Sequence, residues 1–108
     1  AGKFPLWLAP VQVKLLTVTE KYSDYALKIA QQFEDAGLRA EADIRNEKIG
    51  YKLREARNER NPYICIIGEK EVEGDYLTVR NNKTGEQFEI KPDELQANLL
   101  QEIAEKAI

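Results

Sequence analysis

Twelve consecutive residues, Arg45-Asn46-Glu47-Lys48-Ile49-Gly50-Tyr51-Lys52-Leu53-Arg54-Glu55-Ala56, concentrate side chains that can read a nucleobase. The Asn46 amide carries both a donor and an acceptor, so it can pair with both kinds of edge on one base. Lys48, Lys52 and Arg54 can hold phosphates or guanine, and an arginine fork matches guanine with two parallel bonds. Glu47 suits the positive end of a helix dipole, and Gly50, lacking a Cβ, lets a flat group approach the backbone closely. Beyond this run, Glu71 can accept from an imino or amino group, and Arg80 supplies a second fork. A good bidentate pair gives about 1–3 kcal/mol of discrimination between bases. Machinery for bond making is missing from the sequence: there is no histidine, no GxSxG elbow, no P-loop and no dinucleotide fingerprint. The carboxylates are numerous, but helical spacing puts most of them on solvated faces. Recognition, not catalysis, is what these residues offer.

Each candidate also has a purely structural reading, and at this level both stand. Asn46 can cap a helix, Arg54 can be a solvated surface charge, and Glu71 an ordinary loop charge. Arg80 can pair with Glu86 across a hairpin. Trp7, Tyr51 and Tyr63 read as packing residues, with stacking on a base open to either tyrosine where it is exposed. Cys65, inside an apolar run, reads as a small core residue and not a reactive thiol.

The elements that must position these groups follow from periodicity. The first ten residues, with Pro5, Trp7 and Pro10, read as an ordered lead-in. Residues 12–18 form a buried strand. A helix over 20–36 buries Tyr22, Tyr25, Ala26, Ile29, Ala30 and Phe33 at 3-4 spacing and stops at Gly37. Residues 38–44 alternate as a second strand, and a helix over 47–59 buries Ile49, Leu53 and Ala56. Asn61-Pro62 ends that helix, and residues 63–67 form a strongly apolar third strand. Strands at 76–80 and 87–90 flank the turn Asn81–Gly85 as a hairpin, and Pro92 opens a last helix with a stripe of Leu95, Leu99 and Ile103. The order predicts an α/β fold: a mixed, three-layer-like sheet of about five strands, three parallel plus antiparallel additions, with three helices. In such sheets ligands meet the loops at the carboxyl ends of the strands. Asn46 follows the second strand, Glu71 the third, Arg54 lies two turns into the intervening helix, and Arg80 ends the fourth strand.

A chain of 108 residues with 43% hydrophobic and 32% charged residues is one ordinary globular domain. Its apolar runs are too short to cross a bilayer, and no secretory leader is visible. The missing initiator methionine suggests a piece of a longer polypeptide. One cysteine and no histidine exclude a disulfide framework and an ordinary zinc site. The net charge of −3 is unusual for a general nucleic-acid binder, but it is unevenly spread. Residues 43–60 carry six basic side chains (Arg45, Lys48, Lys52, Arg54, Arg57, Arg60) against four acidic ones, and residues 86–108 two against six.

The string RNEKIGYKLREA closely resembles the signature of the C-terminal anticodon-binding domain of threonyl-tRNA synthetases, which are class IIa aminoacyl-tRNA synthetases. FPLWLAPVQV, NPYICIIGEKEVE and LTVR stand around it in that family's order, so the resemblance covers nearly the whole chain. It implies the class IIa anticodon-binding fold over residues 11–108, with residues 1–10 leading in from a preceding catalytic domain. It implies recognition of the anticodon loop of threonine tRNA, in support of its threonylation during cytoplasmic protein biosynthesis. The Asn and Arg of the family's NEKIGYKIR motif, the Glu of GDKEV and the Arg closing its VSVR-type strand match Asn46, Arg54, Glu71 and Arg80. Lys48 and Lys52 are then candidates for tRNA backbone contacts. GDKEV stands here as Gly68-Glu69-Lys70-Glu71-Val72, and the family's often Arg-rich turn as Asn81-Asn82-Lys83, a turn with one cation for tRNA backbone contacts. No catalytic residue and no metal ligand is implied for this stretch. ATP and zinc are implied only for the catalytic domain of the parent chain, a threonine–tRNA ligase, and this stretch alone should be a monomer without ligase activity. Two other readings compete. A protein-interaction domain of a catalytically inactive synthetase-like protein has no need of the four reading residues together. A flavodoxin-like domain would want a glycine-rich phosphate loop where Thr17-Val18-Thr19-Glu20 stands.

Overall fold

Tyr63-Ile64-Cys65-Ile66-Ile67 takes the centre of the sheet, as a run with apolar groups on both faces must. The computed structural model describes residues 6–105, so the first five residues of the lead-in lie outside the described residues. Five strands are present: β1 (Val13–Thr17), β2 (Ala40–Asp43), β3 (Tyr63–Ile67), β4 (Leu77–Asn81) and β5 (Gln87–Ile90), in the order β2-β1-β3-β4-β5. β1 pairs in parallel with β2 and β3, while β3–β4 and β4–β5 are antiparallel. This is the mixed sheet that the sequence predicts, three parallel strands with an antiparallel hairpin added.

Strand alternation sorts the side chains into two layers. Val13, Leu15, Cys65, Ile67, Leu77 and Val79 face α1 (Ser23–Asp35) and α4 (Pro92–Ala104), and with Ala26, Ile29, Phe33, Leu95 and Leu99 they make the main core. Phe33 and Cys65 are fully buried there. Burial also holds the Cys65 thiol far above its ordinary pKa, so it is the inert core residue expected. On the opposite face α2 (Ile49–Asn58) lays Ile49, Leu53 and Ala56 over Leu16 and Ile64.

Three details depart from the sequence reading. Residues 20–22 are a 3-10 turn capped by Thr19, and the α-helix begins only at Ser23. The second long helix starts at Ile49 instead of residue 47, because Arg45 and Asp43 hold the preceding loop in another shape. A fourth helix, α3 (Glu69–Gly74), occupies a stretch to which the sequence assigned no element; six residues are too few to display a period. Elsewhere the stops behave as expected. Gly37, at φ +97°, ends α1, and buried Asn61 donates to the Ala56 carbonyl at 3.2 Å to close α2.

Candidate nucleic-acid interface

α2 is one helix over a five-stranded sheet, so it covers only the half of its face that β1 and β3 supply. Beside it the same face of β4 and β5 carries Thr78, Arg80, Gln87 and Glu89, in register with Ile66, Ile64 and each other. These positions are half-buried or exposed. A polar sheet face that α2 leaves partly uncovered therefore lies beside the expected reading residues.

Arg80 sits in its middle. The side chain is half-buried, and its Nε is out of contact with solvent without a hydrogen-bond partner. The guanidinium lies over Gly85 of the hairpin turn, where an added Cβ would come within 3.8 Å of Nη2. The ion pair with Glu86 that a hairpin could have formed is not made. Orphaned buried donors are rare in folded proteins and cost about 1–3 kcal/mol each, and no protein acceptor among the described residues holds this one.

Glu71 reaches the same face from α3. One carboxylate oxygen accepts from the Gly68 amide at 2.7 Å, which caps α3, and the other accepts from Thr78 Oγ1 at 2.8 Å. The Thr78 bond pins Glu71 above β4, two residues (about 7 Å) along the strand from Arg80. Both oxygens are engaged, but a carboxylate has about four lone-pair sites, and two stay available.

Asn46 is exposed in the loop between β2 and α2, and its amide has no partner among the described residues. It does not cap the helix: the cap position falls to Lys48, which makes no side-chain capping bond and is itself exposed. Arg54 is likewise exposed and unpaired, as either a solvated surface charge or a reading residue would be. It shares a flank of α2 with Gly50 and borders Arg57, whose carbonyl accepts from Asn82 Nδ2 at 3.3 Å. That bond turns the flank toward β4 and the uncovered half of the sheet.

Lys52 is placed otherwise than expected. It is only 1% exposed, and its ammonium donates to the Thr17 carbonyl (3.0 Å), Thr17 Oγ1 (3.1 Å) and the Asp43 carbonyl (3.2 Å). Those oxygens sit at the carboxyl ends of β1 and β2, so Lys52 ties both strands to α2 and has no donor left for a phosphate. Burial lowers its pKa. The signal was in the sequence: Ile49, Lys52, Leu53 and Ala56 form a 3-4 pattern that puts the lysine on the buried stripe.

Arg45 and Asp43 were missed as loop anchors. Arg45 donates to both oxygens of Asp43 (2.9 and 2.7 Å), bonds Glu55 on α2, and lies 5.8 Å over the Tyr51 ring. The hydrogen bonds from Arg45 hold the Asp43 carboxyl below its usual pKa. Tyr51 is 47% exposed, so it is a surface ring instead of the packing residue expected. Tyr63 does pack, and its hydroxyl donates to Glu102 at 2.8 Å. Among the described residues no group of three or more His, Cys, Asp or Glu side chains is disposed to hold a metal ion, and no helix is long and apolar enough to cross a membrane.

The geometry has close counterparts. The family profile described as "Anticodon binding domain" matches residues 9–102. The chain is similar to a threonine–tRNA ligase of Clostridium botulinum (strain Eklund 17B / Type B), at 51% identity over 106 residues, 98% of this chain and 16% of that protein. It is 48% identical over 103 residues to the corresponding ligase of Clostridioides difficile (strain 630), covering 95% of this chain and again 16% of the relative. This chain thus spans about one sixth of the length of these relatives. Among solved structures it resembles the RNA binding domain of threonyl-tRNA synthetase from Cryptosporidium parvum Iowa II, with a TM-score of 0.88, 29% identity, and coverage of 93% of this chain and 25% of that one.

Proposed function

The chain belongs to the anticodon binding domain family, and from that premise we propose that it reads the anticodon of threonine tRNA as the C-terminal domain of a threonine–tRNA ligase. Residues 11–108 are the reading domain, and residues 1–10 lead in from the catalytic domain of the parent chain. ATP and zinc belong to that other domain, and the whole works in the cytoplasm. The observation that carries the reading is Arg80, a half-buried guanidinium on an open sheet face with an unsatisfied Nε. A fork in that state binds guanine without first breaking an internal ion pair. Glu71, fixed beside it by Thr78, accepts from an amino or imino group with its remaining lone pairs. Asn46 and Arg54 complete the set from α2 and its approach, both without internal partners. Lys48 supplies a phosphate contact. Unstacked anticodon bases are read in this way, by bonds to their Watson–Crick edges.

The test is a titration of threonine tRNA and of the same tRNA with a substituted anticodon. Arg80→Ala and Asn46→Ala should each cost about 1–3 kcal/mol against the cognate anticodon and much less against the substituted one. Lys48→Ala should weaken both equally and flatten the salt dependence. The side chains of Arg80 and Asn46 make no internal hydrogen bond or ion pair among the described residues, so neither variant should fall in melting temperature, and losing the unsatisfied Nε of Arg80 should raise it if anything. Equal losses on both RNAs would remove these residues from the reading set. No binding to either RNA would leave the protein-interaction reading.

A further inference from the structure

Gly50 is a glycine for which the fold has no use. It lies in the first turn of α2 with ordinary helical backbone, outside the positive-φ residues, so no conformation demands it. A Cβ built on it meets nothing within 4 Å, so no neighbour demands it either. The contrast within the chain is sharp: Gly74 excludes a side chain because its Cβ would strike the Tyr76 ring at 2.7 Å, and Gly37 needs its φ of +97°. In a helix, meanwhile, glycine is less favourable than alanine. A bare patch of helix backbone that the fold does not need is one that a ligand can use.

Its surroundings say which ligand. Gly50 shares its flank of α2 with Arg54, one turn further on, and with half-buried Leu53. The exposed amide of Asn46 stands in the loop just before the helix, and exposed Lys48 two residues before the glycine. Exposed Asn46, Glu47 and Lys48 thus precede, and exposed Arg54 follows, an open side-chain-free patch of backbone at Gly50, with about one helical turn, some 5–6 Å, from Gly50 to Arg54. That is the size of a nucleobase or ribose ring, and the flanking groups suit its edge and its phosphate. We propose that Gly50 is a contact site in its own right, a notch in which a nucleoside of the bound RNA lies flat against α2 between Asn46 and Arg54. The proposal rests on the anticodon-reading function and adds to it a steric element that excludes any side chain at position 50.

The experiment is a size series, Gly50→Ala and Gly50→Leu, with folding and RNA binding measured on the same preparations. If the notch is real, the two readouts move in opposite directions. Gly50→Ala should raise Tm by about 2–5 °C, since alanine favours the helix and strikes nothing. Its affinity for an anticodon stem–loop of threonine tRNA should fall about five- to a hundredfold, the range an intruding methyl costs in a packed contact. Gly50→Leu should bind more weakly again while staying folded. Arg80→Ala serves as the control for the underlying function. If Arg80→Ala weakens binding and both Gly50 variants bind like the parent, the notch is refuted and the reading of the anticodon stands. If Arg80→Ala and the Gly50 series all leave binding unchanged, the reading itself has failed. A fall in Tm for Gly50→Ala would make the glycine structural and overturn the proposal.

Discussion

At the scale of single residues, Lys52 and Arg80 exchange the characters that their charges suggest. Lys52 is a cation used as internal scaffolding, three oxygens deep in the junction of β1, β2 and α2. Lys52→Ala should lose about 2–4 kcal/mol of folding stability, through the cavity and the unmet carbonyls, and Lys52→Met somewhat less because it refills the volume. Urea unfolding measures both. A Lys52→Ala protein that unfolds like the parent but binds RNA more weakly at low salt would restore the phosphate contact the sequence implied. Asp43 gives a pH counterpart. Its pKa is lower in the folded state, through Arg45, than in the unfolded chain, so between the two values the unfolded state carries the extra proton. That stability is fully present above about pH 4 and is lost as pH falls through the folded value. Asp43→Asn should therefore flatten the acid limb of a stability–pH curve below about pH 4 and leave its neutral region with a constant offset. An unchanged acid limb would mean that the Arg45 pair contributes nothing.

At the scale of elements, the strands and the long helices were legible because each repeats a period long enough to see. The Leu95, Leu99 stripe survives into the structure, and the alternation of residues 38–44 holds through Ala42 but fails at the strand end, where Asp43 is buried and Ile44 exposed. What escaped was whatever depends on contacts distant in sequence. The Glu71 carboxylate is a case: the stretch Gly68–Gly74 shows no period, and only the fold brings Thr78 back under it. Glu71 therefore has two employments, and its substitution should show both. Glu71→Ala should cost about 0.5–2 kcal/mol of stability through the lost cap, visible as a lower Tm without RNA. Glu71→Gln keeps an acceptor for the Gly68 amide, so it should retain most of that stability and still lose discrimination at the base that Glu71 addresses. Equal stability losses for both would say that the cap needs the charge. The same dependence on fold explains the candidate site. Asn46, Glu71 and Arg80 could be named from residue type and resemblance. That Arg80 lacks an internal partner and Lys52 has three could not, since neither fact exists until β4 and α2 are placed.

At the scale of the whole molecule, a domain with a net charge of −3 and three unpaired reading groups should hold tRNA weakly by itself. A second grip elsewhere in a longer chain raises apparent affinity by about 10²–10⁴ when both sites engage one RNA. The isolated chain should accordingly bind threonine tRNA poorly and lose affinity steadily with added salt, in a filter or fluorescence titration. Tight binding indifferent to ionic strength would contradict this. The fold also contains its own stopwatch. Cys65 is the one cysteine in the sequence, and it lies with no exposed surface in the central strand, held between neighbours on both sides. A thiol reagent can reach it only when that strand comes apart, which for a central strand means opening close to global. The rate of colour release from an aromatic disulfide then reports how often the molecule opens, in plain buffer and without denaturant. Every variant discussed above can be timed by that reaction, with RNA absent or present, and RNA that grips the folded form must slow it.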